Sequence, residues 1–456
     1  MQSNWVYEIS ELFLRHERSA ALLTTEGEIV HSKSDLGFET PGFRSTVEGA
    51  LKYISTKPGD IIVTNDPYSG GSFLHRYNFL LVLCLPEMNS AGFVLCVRKD
   101  YSVRLNPCAK LDEEGLRIPP TPIYQNKQLI TPIINAMSMH PLCAQGFSDW
   151  LGEVVEELKD SHTKWQNLHK NLRMPFSVNQ VKKFISFSRH FAVERISERA
   201  QGEGRSEVRL DSGEIVKLRL DVQDGNVRAD FSGTTAGVQC FVPDGATFGA
   251  CYDALSDFYD MKTLRNSGTF TVLQVIKPMG CFLNAKYPAS THLGLRSGVA
   301  AVKLAMNLAL RQIIKTKEAL NTESDLKLEM AFADGSRWLS QWSPKSMSEK
   351  FSLEMIESSH PVQFLKVEKD LEKSYLQVEF KVLQACQLRW HSDFTLHLPR
   401  LPAAFKISGI CSVETQVGHQ EWKKLASQGS TDLLPHTALR IQLWGHFDRT
   451  EKPEKS

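Results

Sequence analysis

Residues 215–231, IVKLRLDVQDGNVRADF, place the tightest constraint on the fold. Ile215, Lys217, Leu218, Arg219, Leu220, Asp221 and Val222 approach strict alternation of apolar and charged side chains. That period of two is the signature of a strand with one buried and one wet face. Asp224-Gly225-Asn226 then supplies a hairpin turn, and VRADFSG returns. The chain must therefore contain a sheet with one solvated face.

Helical periodicity surrounds this hairpin. Trp5, Ile9, Leu12 and Phe13 recur at helical spacing, Thr46–Ile54 is helical, and 147–200 reads as two long helices, the second starting after Pro175 and Ser177. Residues 243–263 form a further helix, and Leu295–Ile314 carries the strongest apolar face. Strands are expected as a pair within Ser19–Ser32, at 60–64, 78–85, 92–98 and 269–277, and in quick succession beyond 325. The fold class is α+β: mixed sheets with helices and a β-rich C-terminal part. The domains are 1–324, with a helical insertion at about 147–200, then 325–448, then a charged tail 449–456. Residues 318–325 are the linker.

A chain of 456 residues with a net charge of +1 gives no general reason to expect nucleic acid. No apolar run approaches the ~18 residues of a membrane helix, and the start MQSNWVYEISELF lacks the pattern of a signal peptide. Nine scattered cysteines without a C-x-x-C pair suit reduced thiols in the cytoplasm.

Three segments carry candidate chemistry. In TNDPYSGGSFLHRYNF, Thr64–Phe79, a strand runs into Asn-Asp-Pro and a Gly-Gly turn. Asp66 and His75 are candidate catalytic groups there, and Gly70 and Gly71 permit close approach of a ligand. The bland alternative is a tight turn. Asp230 and Ser232, in ADFSGT, can hold an oxyanion or simply form an Asx turn at a strand exit. Glu113 and Glu114, before Gly115, suit acid–base work or a solvated loop. The G-x-S-x-G, Walker A, G-x-G-x-x-G and H-E-x-x-H signatures are absent.

Taken in order, PGDIIVTNDPYSGGS (58–72), EEGLRIPPTPIY (113–124), VRADFSGTTAGVQ (227–239) and NSGTFTVLQVIKPMGCFLNAKYPAS (266–290) resemble the B-type subunit of the hydantoinase/5-oxoprolinase family, which includes the large subunits of acetone and acetophenone carboxylases. The resemblance implies a large α+β subunit in a hetero- or homo-oligomer, with an A-type partner that binds ATP and activates an amide or carbonyl oxygen. It also implies a divalent metal (Mn, Fe or Zn) in the B-type subunit.

The metal pattern of the family is broken here. Phe73 stands where the resemblance implies a His, Arg76 where it implies an Asp, and Asp100 near the place of a second His. Phe has no donor atom, and Arg carries a permanent positive charge. No metal or other cofactor is therefore expected in this chain, and Arg76 is expected to pair with Asp100. The Gly-rich C-terminal runs of the family are missing too: only five of the 28 glycines lie beyond residue 300. Three functions fit: a divergent subunit of an ATP-dependent cyclic-amide hydrolase, a non-catalytic scaffold or regulatory subunit, or a metal-free anion site faced by Arg76, Arg98, Lys99 and Arg104.

Overall fold

A computed structural model describes residues 4–84, 90–101, 111–143, 146–170, 177–199, 201–210, 213–237, 241–292 and 294–314, and, further on, 326–332, 337–342, 362–370, 375–392, 405–406, 411–417, 420–425, 428–444 and 448–449. The expected linker 318–325 and residues 450–456 of the tail lie outside them. The chain forms two compact units, one of residues 1–206 and 216–315, the other of 207–215 and 316–456. Among the described residues no helix is long and apolar enough to cross a membrane.

The first unit opens with helix α1 (Asn4–Leu14) and the paired strands β1 (Ala20–Thr24) and β2 (Ile29–Lys33). Helix α2 (Gly42–Leu51) leads to β3 (Ile61–Thr64), β4 (Arg76–Cys84) and β5 (Ala91–Asp100). A short turn α3 (Leu111–Glu114) precedes β6 (Thr121–Gln125) and β7 (Gln128–Leu129). These strands form one antiparallel sheet in the order β2-β1-β5-β4-β3-β6-β7. Its edge at β2 is covered, because Ile29 and Ser32 donate their backbone N–H groups to Ser267 and Arg265.

Alternation divides this sheet into two faces. Tyr77, Phe79, Leu81 and Leu83 of β4, with Phe93, Leu95 and Val97 of β5, join one core. Helices α4 (Thr131–Ser138), α5 (Phe147–Lys170) and α6 (Val178–Ser197) feed it with Ile134, Leu151, Leu158, Trp165 and Phe184. Ser177 begins α6 with a capping box, its hydroxyl accepting from Gln180 N–H. The opposite face carries Arg76 and Asn78 of β4 and Arg98 of β5, all buried. So many polar groups at one end of a closed face mark it as the place to examine.

Strand β8 (Gly202–Arg209) follows α6, and Ser206 donates to Ala305. Strands β9 (Ile215–Gln223) and β10 (Asn226–Asp230) are the expected hairpin, with Asp224 and Gly225 both at positive φ. Their burial alternates as the sequence alternates. Helix α7 (Asp244–Phe258) is followed by α8 (Ser267–Phe270) and β11 (Leu273–Ile276), which pairs parallel to β10. Residues 269–277 are thus only partly a strand. Asn266 and Thr269 close a capping box that turns the first residues into a helical turn. A π-turn at Gly294–Gly298 leads into α9 (Val299–Ile314).

The second unit is β-strand-rich. Leu326–Phe332 pairs with Arg337–Trp342 and Cys386–Ser392, and the latter with Gln428–Leu433. A five-stranded sheet centres on Tyr375–Val382 and Thr437–Trp444. Every strand pairing among the described residues of this unit is antiparallel.

Candidate functional site

Strand β3 delivers the NDPYSGGS loop, and Asn65 fixes its shape. The Asn65 side chain is fully buried. Its Nδ2 donates to the carbonyls of Leu74 (2.6 Å) and Leu116 (2.8 Å), and its Oδ1 accepts from Ile118 N–H at 2.6 Å. One amide thus ties the loop's return and the 111–118 segment to the end of β3, with every group satisfied. Asp66 accepts from Tyr68 N–H (3.1 Å) and Ser69 Oγ (3.3 Å) and pairs with Arg117 at 3.2 Å. The Arg117 guanidinium lies 4.7 Å from the Tyr287 ring centre.

The chain's own backbone packs closely against both glycines. Gly70 has φ +87°, and a Cβ there would lie 2.2 Å from the Gly42 carbonyl oxygen of α2. A Cβ on Gly71 would lie 2.5 Å from the Asp66 carbonyl oxygen. On the side where a Cβ would stand, each glycine is therefore required by the approach of the chain's own backbone.

Arg76 lies at the centre of the polar face. Its Nε donates to Glu39 at 3.0 Å, one terminal nitrogen to Asp100 at 3.0 Å, and the other to Asp35. The Arg76–Asp100 pair is placed by register, since these two residues face each other across β4 and β5. Burial disfavours the charge on Arg76, but Glu39, Asp100 and Asp35 outweigh it and raise its pKa. Glu39 also accepts from Ser34 Oγ at 3.0 Å, and its Oε1 is buried with no hydrogen-bond partner. Arg98 donates to Asn78 (2.6 Å), the Glu39 carbonyl (3.0 Å) and the Gly70 carbonyl (2.7 Å). It stacks 4.2 Å from the Phe43 ring centre. Its donors are used internally.

Lys99 does not share this site. Alternation puts it on the other face of β5, where it pairs with Glu17 (3.1 Å) and Glu157 (2.9 Å). The expectation of an anion site faced by Arg76, Arg98 and Lys99 together is corrected on that ground. Arg104 lies outside the described residues.

Beside the same loop, the ring of Phe73 is 94% buried. It stacks on His75 at 5.2 Å and meets His292 edge-on at 5.5 Å. Glu114 accepts from His292 N–H at 2.9 Å and from Ser290 Oγ. Burial pushes the Glu114 carboxyl above its ordinary range against these hydrogen bonds. Tyr68 Oη donates to the Ala289 carbonyl at 2.5 Å. The motifs at 64–79, 113–118 and 286–292, far apart in sequence, therefore meet. His292 lies just beyond the fourth motif, 266–290, and is not among the candidates that the motifs supply. A Ser-Thr-His run at the head of the strongest helix was the available signal. Of the paired carboxylates only Glu114 is described, the Glu113 side chain lying outside.

Asp230 and Ser232 form a local turn. Ser232 Oγ and N–H donate to Asp230 Oδ1 at 2.6 and 2.9 Å, and the hydroxyl bond lowers the Asp230 pKa. Asp230 also lies 3.7 Å from Arg228, and the arrangement is that of an Asx turn.

Asp66, His75 and Asp100 do not converge: each has a separate neighbour in Arg117, Phe73 and Arg76. Among the described residues no group of three His, Cys, Asp or Glu side chains is arranged to hold a metal ion. The divalent ion that the resemblance implies does not fit the residues present. A guanidinium already lies among the carboxylates, and a benzene ring stands beside the imidazoles.

The sequence pattern described as hydantoinase B/oxoprolinase matches residues 11–338. Two solved structures share the fold. The ATP-dependent caprolactamase from Pseudomonas jessenii superposes with a TM-score of 0.77 at 15% identity, over 97% of this chain and 88% of that one. Nucleotide-free acetone carboxylase, described in connection with ATP-dependent acetone carboxylation, gives 0.71 at 9% identity over 100% and 74%. An uncharacterized protein of Methanocaldococcus jannaschii is 23% identical over 304 residues, which is 61% of this chain and 52% of that protein. An uncharacterized protein of Schizosaccharomyces pombe is 25% identical over 313 residues, 60% of this chain and 23% of that one. The match thus spans about half the length of the first and a quarter of the second.

Proposed function

The chain belongs to the hydantoinase B/oxoprolinase family, and on that premise we propose that it is a metal-free B-type subunit. It works beside an ATP-binding A-type subunit of the cyclic-amide hydrolase class, and it serves that complex as a scaffold or regulator. Metal-dependent chemistry of its own is not part of the reading. The observation that carries this is the Arg76 guanidinium bonded to Asp35, Glu39 and Asp100. A guanidinium held by three carboxylates supplies positive charge at a fixed point without an exchangeable ion. It cannot generate a metal-bound hydroxide. The NDPYSGG loop, the Glu114 segment and the 286–292 segment then serve to shape the surface that a partner would meet. The proposed setting is a reducing cytoplasm, which suits the six described cysteines that are unpaired.

The experiment is reconstitution. The purified chain is mixed with a candidate A-type subunit and ATP, and hydrolysis of 5-oxoproline and hydantoins is followed with and without Mn²⁺ or Zn²⁺. The expected result is a stable complex whose activity, if the partner has any, does not respond to the metal. Metal-dependent turnover that is lost on altering this chain's loop would contradict the proposal.

A further inference from the structure

On the open face of the β11-β10-β9-β8 sheet, three positions line up across three strands. Asp221 of β9 lies opposite Arg228 of β10, and Arg228 lies beside Gln274 of β11. Opposed residues of paired strands share one face, so a direct Asp–Arg pair would be the ordinary outcome. It does not form. Asp221 makes no ion pair or side-chain hydrogen bond with any described residue. Arg228 leans toward Asp230, at 3.7 Å, which is too far for a hydrogen bond. The two opposed charges instead line a hollow of about 440 Å³, together with Gln223, Gln274 and Thr271. Val227 and Val272 line it too, but each is buried and offers almost no apolar side chain. The frame is rigid. Asp224 and Gly225 turn the hairpin at positive φ, and a Cβ on Gly225 would lie 2.5 Å from the Val193 side chain of α6. The turn thus sits hard against a helix, and the charged groups stand on paired strands.

We propose that this hollow binds a free α-amino acid with a polar side chain, its ammonium group at Asp221 and its carboxylate at Arg228. The chemistry of the lining selects this ligand. An apolar molecule would strip water from a carboxylate, a guanidinium and two amides without replacing it. A simple anion would meet Arg228 but also Asp221 and, at the hairpin turn, Asp224. A simple amine would leave the donors of Arg228 unmatched. A zwitterion answers both charges at once, each through a charge-assisted hydrogen bond. Gln223, Gln274 and Thr271 then offer donors and acceptors to its side chain. The volume lies within the range of small-molecule sites, about 300–1,000 Å³. A different sheet carries Arg76, so the outcome is independent of the proposed function.

Equilibrium dialysis of the full chain tests it. The probes are L-serine, L-asparagine and L-glutamine, with acetate and ethylamine as controls that carry one charge each. Saturable binding is expected for at least one of the amino acids, with both controls much weaker. Asp221→Asn and Arg228→Gln are each expected to weaken that binding by about tenfold or more, the loss of one hydrogen bond to a charged group. Arg219→Gln is the matched control. Arg219 stands on the same face of β9 but pairs with Glu203 at 2.7 Å and does not line the hollow, so its loss is expected to leave affinity unchanged. No saturation at millimolar concentration by any of the three amino acids overturns the proposal. So does binding of acetate or ethylamine as tight as theirs. An equal loss in Arg219→Gln also overturns it, as do folded Asp221→Asn and Arg228→Gln chains, checked by circular dichroism, that bind as the wild type does.

Discussion

Arg76 and Asp100 face each other across the β4–β5 register, and their side chains meet at 3.0 Å. The contact is half-exposed on the Asp100 side, whereas Glu39, on the same guanidinium, is fully buried. The two carboxylates should therefore matter very differently. Asp100→Asn is expected to cost at most about 1 kcal/mol, as for an exposed pair. Glu39→Ala takes the carboxylate that pairs with Arg98 as well as Arg76, leaves the buried Arg98 charge uncompensated, and is expected to cost about 3–5 kcal/mol. Urea unfolding of both variants checks the ranking. Equal losses would contradict it.

Arg76→Ala is the reciprocal change. It removes the cation shared by Asp35, Glu39 and Asp100 and is expected to cost about 3–5 kcal/mol. Arg76→Lys should recover only part of that loss, because an ammonium cannot reach three acceptors with the planar geometry of a guanidinium. Thermal melts of the two variants side by side give the comparison.

Gly70→Ala tests whether the Gly-Gly turn is structural. The new Cβ would meet the Gly42 carbonyl at 2.2 Å, with φ at +87°. A loss of about 2 kcal/mol or more is expected from strain and displacement of α2 together. Gly49→Ala, where the nearest atom is 3.8 Å away, is expected to be neutral or slightly stabilising. Matched denaturation curves decide the point.

Stability should fall as pH falls through the histidine range. His31 and His162 both have pKa values lowered from 6.5 by burial. The unfolded chain then takes up protons before the folded one does, so stability is lost as pH drops below about 6.5 toward the folded-state pKa values. The Glu11 carboxylate, 2.6 Å from His31, opposes the shift without reversing it. His31→Gln is expected to flatten the dependence between about pH 5 and 6.5. Melting temperature measured against pH, for wild type and variant, reads the slope directly.

Much of the fold was legible because its signals are periodic and local. The β9–β10 hairpin followed from alternation and an Asp-Gly turn, and α9 from its apolar face. Of 269–277 only Leu273–Ile276 is a strand, because Thr269 bonds back to Asn266, a side-chain choice that β propensity does not register. The loss of the metal pattern at Phe73 and Arg76 was readable only against the family resemblance, which implies the ligand positions; residue chemistry then shows that Phe and Arg cannot fill them. What Arg76 binds was only partly readable. Asp100 was available from the paired strands, but Asp35 and Glu39 come from a turn about 40 residues earlier whose path nothing in the sequence specifies. Lys99, grouped with Arg76 and Arg98 by sequence, lies on the other face of β5 because neighbouring strand positions alternate. His292 went unnoticed since it meets Phe73 only through tertiary packing.

In the proposed function the Arg76 guanidinium stands where the family resemblance implies a metal ion. Elemental analysis of the purified full-length chain, produced in medium supplemented with Mn²⁺, Fe²⁺ and Zn²⁺ and then dialysed, tests it most directly. The account predicts transition-metal content far below one ion per chain, unchanged in Asp100→Asn. One tightly held ion per chain, lost in that variant, would contradict it.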